Sequence, residues 1–202
     1  MLEDLKKYSV VLASNSPRRK ELLSGLGVNF SVKTLPDVDE SFPDALKGEE
    51  IPLFIARKKA DAYKVLFSSV NSNEVEEPLL VITADTIVWL EDEVLGKPAN
   101  ATEARAMLSK LSGKKHQVIT GVCLTTALWQ KSFAAVSEVQ FSSLTEEEMD
   151  YYIHNYCPYD KAGAYGVQEW IGFIGVESIQ GSYFNVMGLP IQRLYRELKT
   201  IK

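Results

Sequence analysis

The residues Ser14-Asn15-Ser16-Pro17-Arg18-Arg19-Lys20 follow the short apolar run Val10-Val11-Leu12-Ala13. Ser16 is a natural helix N-cap and Pro17 suits the first helical position, so the spacing predicts a helix starting here. Three cations then crowd its first turn, where the helix dipole is already positive, at roughly 0.3–1 kcal/mol each. A bound anion reverses the sign of that cost. Backbone N–H groups, the hydroxyls of Ser14 and Ser16, and the guanidinium forks of Arg18 and Arg19 together make a phosphate cradle. The chemistry this implies is the handling of a phosphorylated small molecule.

Carboxylates and lysines further along could act on such a ligand. Asp85 ends the run Leu80-Val81-Ile82-Thr83-Ala84 and precedes a second apolar stretch. A carboxylate there is expensive to bury unpaired, so it faces a metal, a lysine or a cleft, or else it caps a strand end in a turn. On spacing alone both readings stand. Asp37, Asp39 and Glu40 form a second acidic group that alone reads as a solvated loop. With Asp85 it supplies the oxygen donors of Mg²⁺, an ion commonly held by one or two carboxylates and phosphate oxygens. Lys59 falls on the apolar face of a helix expected over 50–67, between Ile55 and Ala62, and either snorkels or points into a cleft. Lys97, in Leu95-Gly96-Lys97-Pro98, reads by default as a surface turn lysine. In Lys161-Ala162-Gly163-Ala164-Tyr165-Gly166-Val167-Gln168 the glycines allow close backbone approach, and Gln168 suits an amide or carbonyl edge. A plain loop is the simpler reading of that segment and of 181–190.

The elements that must position these groups alternate. Strand signals cover residues 9–13, 29–34, 79–84, 86–90, 117–126, 133–141 and 171–179, each rich in β-branched or aromatic residues. Helices are expected after Asn100, where Glu103 completes a capping-box spacing, after Thr145 with Glu148, and from Pro190. The alternation indicates α/β organisation. The polar stretch 68–78 reads as a surface insertion.

Composition narrows the classes. The 202 residues carry 46% hydrophobic side chains and a formal net charge of −5. That charge argues against a general nucleic-acid or membrane-surface binder, which needs a basic field. No apolar stretch approaches the ~20 residues that span a bilayer. The first residues form no signal peptide, so a cytoplasmic location is expected. Cys123 and Cys157 lack CxxC spacing and read as reduced structural thiols. His116 and His154 are the only histidines, which disfavours zinc or histidine-assisted nucleophiles.

Taken in order, Leu12-Ala13-Ser14-Asn15-Ser16-Pro17-Arg18-Arg19, Asp39-Glu40-Ser41, Ala56-Arg57-Lys58-Lys59-Ala60, Ala84-Asp85-Thr86, Leu95-Gly96-Lys97-Pro98, Leu111-Ser112-Gly113, the 161–168 loop and Asn185-Val186-Met187-Gly188-Leu189-Pro190 resemble the Maf family of nucleoside triphosphate pyrophosphatases. The resemblance implies one Maf-like domain over 1–202. Its fold would be α/β, an elongated mixed sheet flanked by helices, with two lobes around a nucleotide cleft, similar to the inosine triphosphate pyrophosphatase architecture. It implies hydrolysis of a nucleoside triphosphate to the monophosphate and pyrophosphate with a divalent metal, Mg²⁺ or Mn²⁺, and a homodimer. Asp85 would be the general base and Glu40 its partner at the metal. Arg18, Arg19, Lys59 and Lys97 would hold the triphosphate, with Ser14 and Ser16 in the same cradle. Arg18, Thr86 and Gln168 would set base preference, here for dTTP and UTP. Val167 stands where isoleucine is common in the family. The competing expectations are a 7-methyl-GTP or non-canonical purine pyrophosphatase, a non-catalytic regulator of cell division, and, least favoured by charge, an RNA binder.

Overall fold

The computed structural model describes residues 2–35, 38–68 and 77–201. Asp37 and most of the polar stretch 68–78 lie outside the described residues.

A 3₁₀ turn, Glu3–Lys7, leads into strand β1 (Ser9–Leu12), whose last three residues are buried. Helix α1 (Pro17–Ser24) begins where the cap signal places it: the Ser16 hydroxyl accepts from the Arg19 N–H at 3.4 Å. Strand β2 (Ser31–Val32) returns parallel to β1, completing a β-α-β unit. Helices α2 (Glu50–Ala62) and α3 (Lys64–Ser68) follow, then the long strand β3 (Leu79–Leu90), parallel to β1. A tight turn with left-handed backbone at Glu91 and Asp92 joins β3 to the antiparallel β4 (Glu93–Leu95). Next come α4 (Ala101–Leu111), β5 (Lys115–Thr125), β6 (Gln130–Phe141) and α5 (Glu146–Tyr156). The chain ends with α6 (Trp170–Gly175), β7 (Val176–Gln180, antiparallel to β6), α7 (Tyr183–Val186) and α8 (Ile191–Leu198). The sheet is mixed, seven strands in the order β2-β1-β3-β5-β6-β7 with β4 on β3. The α/β class expected from the alternation of elements is therefore correct.

The helix starts read from local residues hold. Thr145 and Glu148 make a complete capping box, with Thr145 N–H donating to the Glu148 carboxylate at 2.8 Å. Asn100 accepts from Glu103 N–H at 3.0 Å, while the Glu103 carboxylate takes Ala99 N–H instead of closing the box on Asn100 itself.

The loop expected over 181–190 contains the short helix α7, and four further expectations need correction. Residues 79–84 and 86–90 form one strand, with Asp85 inside it and not at a turn. The helix expected over 50–67 is two, broken where Tyr63 takes a turn conformation. The strand over 29–34 shrinks to two paired residues. The strand over 171–179 is helix α6 followed by the shorter β7; a short apolar run fits either state, and packing decides between them.

Two compact units divide the chain. The first comprises Met1–Asp85, Thr120–Ala135 and Gly188–Lys202; the second comprises Thr86–Ile119 and Val136–Met187. In the second, a contiguous core joins Ala104, Leu108 and Leu111 of α4 with Val139, Phe141, Tyr152 and Ile171, each large side chain worth about 1.5–3 kcal/mol when fully buried. In the first, Ala56, Ala60 and Cys123 make a small-residue contact between α2 and the sheet.

Candidate active site

Helix α2 lies unusually close to the sheet, and the reason is local. A Cβ at Gly121 in β5 would fall 2.4 Å from the Pro52 backbone, so only glycine admits the first turn of α2 there. One turn on, the buried Thr83 hydroxyl donates to the Ala56 carbonyl at 2.7 Å. Asp85 shares a strand face with Thr83, and Lys59 lies one helical turn beyond Ala56. The two elements therefore carry a hydrogen bond and then an ion pair as successive rungs: Lys59 Nζ to Asp85 Oδ1 is 2.8 Å. Asp85 is 8% exposed, and this partner removes the penalty of burying a lone charge.

Lys59 Nζ also meets Glu40 Oε1 at 2.8 Å. Glu40 comes from the loop after β2, which is held at several points. The Tyr63 hydroxyl donates to Lys33 O at 2.8 Å and accepts from Leu35 N–H at 3.0 Å. Asp39 accepts from the Ser41 N–H (2.8 Å) and hydroxyl (2.7 Å), and Lys58 Nζ donates to both Asp39 Oδ2 (2.7 Å) and the Ser41 carbonyl (3.1 Å). Lys58 and these hydrogen bonds hold the Asp39 carboxyl well below the usual range. Successive lysines thus divide the work: Lys58 clamps the loop and Lys59 takes its glutamate.

Arg19 is braced by backbone. Its Nε donates to Gly188 O and one terminal nitrogen to Ala84 O, both at 2.8 Å, the latter adjoining Asp85. Burial pulls the guanidinium pKa down, the charges of Asp85 and Glu40 oppose that, and Arg18 adds to it. Ser14 Oγ accepts from Ser16 N–H at 3.2 Å. Ser14, Ser16, Arg18, Arg19, Glu40, Lys59 and Asp85 all belong to the first unit.

Thr86, Lys97 and Gln168 belong to the second unit. Thr86 is partly buried on β3 directly after Asp85, and Lys97 is exposed in the turn after β4. The Gly96 carbonyl of that turn accepts from Gly163 N–H at 3.0 Å. Gly163 has φ +67°, and a Cβ there would meet the Val88 side chain at 2.8 Å, so the loop needs glycine at this point. Among the described residues the buried Gln168 amide oxygen has no hydrogen-bond partner. Beneath the loop, His116 Nε2 lies 2.8 Å from the Tyr165 hydroxyl, and burial lowers the His116 pKa to about 4.

The carboxylate oxygens of Glu40 and Asp85 are donors of the kind a hard cation takes, and they face the ammonium of Lys59 with Arg19 close by. Among the described residues no group of three or more His, Cys, Asp or Glu could hold a metal. Sequence reasoning assigned no role to Thr83, Gly121 or Lys58. The one signal was a glycine amid the β-branched run 117–126.

The fold places the chain in a known class. It superposes on the solved Ham1 protein of Staphylococcus aureus with a TM-score of 0.52, at 17% identity, covering 96% of this chain and all of that one. Within that class the particular family is clear: the model for Maf-like proteins matches residues 9–201, and the chain belongs to the Maf family. It is 66% identical over 201 residues to a Bacteroides fragilis protein named dTTP/UTP pyrophosphatase, covering 100% of both chains. A Phocaeicola vulgatus protein of the same name is 64% identical, again over 100% of both. No helix among the described residues is long and apolar enough to cross a membrane.

Proposed function

We propose that the chain hydrolyses dTTP and UTP to the nucleoside monophosphate and pyrophosphate. The observation that carries this reading is the half-buried set Lys59–Glu40–Asp85 beside the cationic start of α1, in a chain 66% identical to a dTTP/UTP pyrophosphatase.

In the reaction, water attacks the α-phosphorus, the bond from that phosphorus to the α,β-bridging oxygen breaks, and pyrophosphate departs. Asp85 orients the water and takes its proton. Carboxylates are weak bases at neutral pH, so the contribution is chiefly placement. Lys59, held by the two carboxylates, keeps Asp85 aimed. Arg18, Arg19 and Lys97 bind the triphosphate and stabilise charge on the departing pyrophosphate. Glu40 and Asp85 are the residues that would hold Mg²⁺ or Mn²⁺, which when bound neutralises phosphate charge and polarises the P–O bonds.

Thr86 and Gln168 read the base. The Gln168 amide oxygen can accept a hydrogen bond, which suits the imide N3–H that thymine and uracil share and cytosine lacks. The test is pyrophosphate release from dTTP, UTP, CTP, 7-methyl-GTP and ITP with Mg²⁺ or Mn²⁺, with Asp85→Asn as control. Turnover of dTTP and UTP that vanishes in the variant supports the reading. Preference for 7-methyl-GTP overturns the base assignment. Binding of nucleotide without turnover of any triphosphate overturns the reaction.

A further inference from the structure

The second unit contains a charged cluster around the buried Lys161 that the proposed reaction does not use. Lys161, with its side chain 8% exposed, pairs with Asp160 at 2.8 Å and with Glu169 Oε1 at 3.1 Å. The other Glu169 oxygen accepts from the Tyr152 hydroxyl. That hydroxyl in turn accepts from Gly166 N–H at 3.0 Å, and Glu169 N–H donates to Gly166 O at 2.9 Å. The pair packs directly over Gly166: a Cβ there would lie 2.9 Å from the Glu169 carboxyl carbon and 3.0 Å from Lys161 Cε and would push those side-chain ends aside. Burial and then the adjacent Glu169 keep the Tyr152 phenol protonated, as a donor must be.

These bonds join both ends of one loop. Lys161 opens it, Gly166 is its crest and Glu169 closes it as the N-cap residue of α6, with Gln168 between the last two. Left-handed backbone at Ala164 (φ 60°) stores strain that something must hold. A buried charge pair is a costly way to gain stability and a good way to enforce one geometry. We propose that Glu169, gripped by Lys161 and Tyr152, is a positioning residue that fixes this loop, aims the Gln168 amide at the base and so determines pyrimidine selectivity. This rests on the reading of Gln168 as the base-contacting residue.

The experiment is steady-state pyrophosphate release by the full chain with Mg²⁺ on dTTP, UTP and dCTP, for wild type, Glu169→Gln, Tyr152→Phe and Gln168→Ala. Glu169→Gln leaves Lys161 its Asp160 partner. Tyr152→Phe leaves the Lys161–Glu169 pair intact, and it decides the matter if the first variant does not fold. The expected result is that both raise KM for dTTP about tenfold and shrink the dTTP-to-dCTP ratio of kcat/KM by about the same factor, with saturated turnover of dTTP nearly unchanged. Variants that only lower thermal stability or kcat and keep the ratio make the cluster purely structural and overturn the proposal. Gln168→Ala separates the two levels. If it shifts the ratio and the Glu169 and Tyr152 variants do not, the positioning role falls while the base reading stands. If none of the three shifts it, both fall.

Discussion

Each unit holds one lysine between two carboxylates, Lys59 with Glu40 and Asp85 in the first and Lys161 with Asp160 and Glu169 in the second. The composition is the same, and each triad has one half-exposed acid, Glu40 or Asp160, but what else meets the buried lysine and its second carboxylate differs. Around Lys161 a phenol and a glycine backbone close the cluster, so its charges are spent on holding a loop. Around Lys59 the neighbours are charged: Glu40 is half exposed, and Arg19 feels both carboxylates. What makes a charge triad chemistry or scaffold is what its remaining lone pairs meet. In the second unit one Glu169 oxygen takes the Lys161 ammonium and the other the Tyr152 hydroxyl, whereas Glu40 and Asp85 share Lys59 near Arg19, where the proposed cation and phosphates would bind.

Substitutions test that contrast. The largest effect is expected for Asp85→Asn, a loss of about 10³-fold in kcat with nucleotide affinity kept, measured by pyrophosphate release and calorimetric titration. Loss of binding in the folded variant would place Asp85 in ground-state binding and erase the contrast with Glu169, whose predicted effect is on KM and selectivity.

Next is a stability effect confined to the second unit. His116 is buried and its pKa is pushed down to about 4, so the unfolded chain binds a proton below about pH 6.5 while the native chain does not. The stability that neutral His116 contributes is present above that value and is lost as pH falls toward 4, up to about 3 kcal/mol. Urea unfolding at pH 7 and pH 4.5 should show this loss, and His116→Gln should reduce it. An unchanged slope in the variant would assign acid sensitivity to the carboxylates instead.

Arg19→Lys keeps the charge and loses the fork that spans Gly188 O and Ala84 O. Its kcat/KM should fall one to two orders of magnitude, about the cost of a misplacement near 1 Å. A variant with wild-type kinetics would show that Arg19 acts as charge alone. The smallest effect belongs to Lys58→Met, which releases Asp39 and Ser41 from α2. The pair is exposed, so we expect about a twofold loss in kcat/KM that high salt mimics in the wild type.

Legibility followed range. The start of α1 and the capping box at Thr145 depend on residues three apart, and the chain order displays them. Asp85 was legible as a costly carboxylate needing a partner, and lysine was one option. Its other reading, a cap at a strand end, fails because a charge inside an apolar run looks like an end only until Lys59, 26 residues away, supplies the counter-charge. Residues 171–175 read as strand from their apolar character. In the fold a Cβ at Gly172 would fall 1.9 Å from Val167 O, a contact that follows from the turn of α6 on the preceding loop.

The sequence by itself determined the vocabulary of this protein: a capped helix start loaded with cations, carboxylates in expensive places, a glycine-rich loop ending in an amide, and the alternation that makes α/β. Those follow from local sterics, dipoles and desolvation, which need only near neighbours in the chain. Tertiary structure alone decided which charges meet. Gly121 admits Pro52, Thr83 ties Ala56, and Lys59 then reaches Asp85. Each of those pairings spans tens of residues, and only the packed interior fixes them.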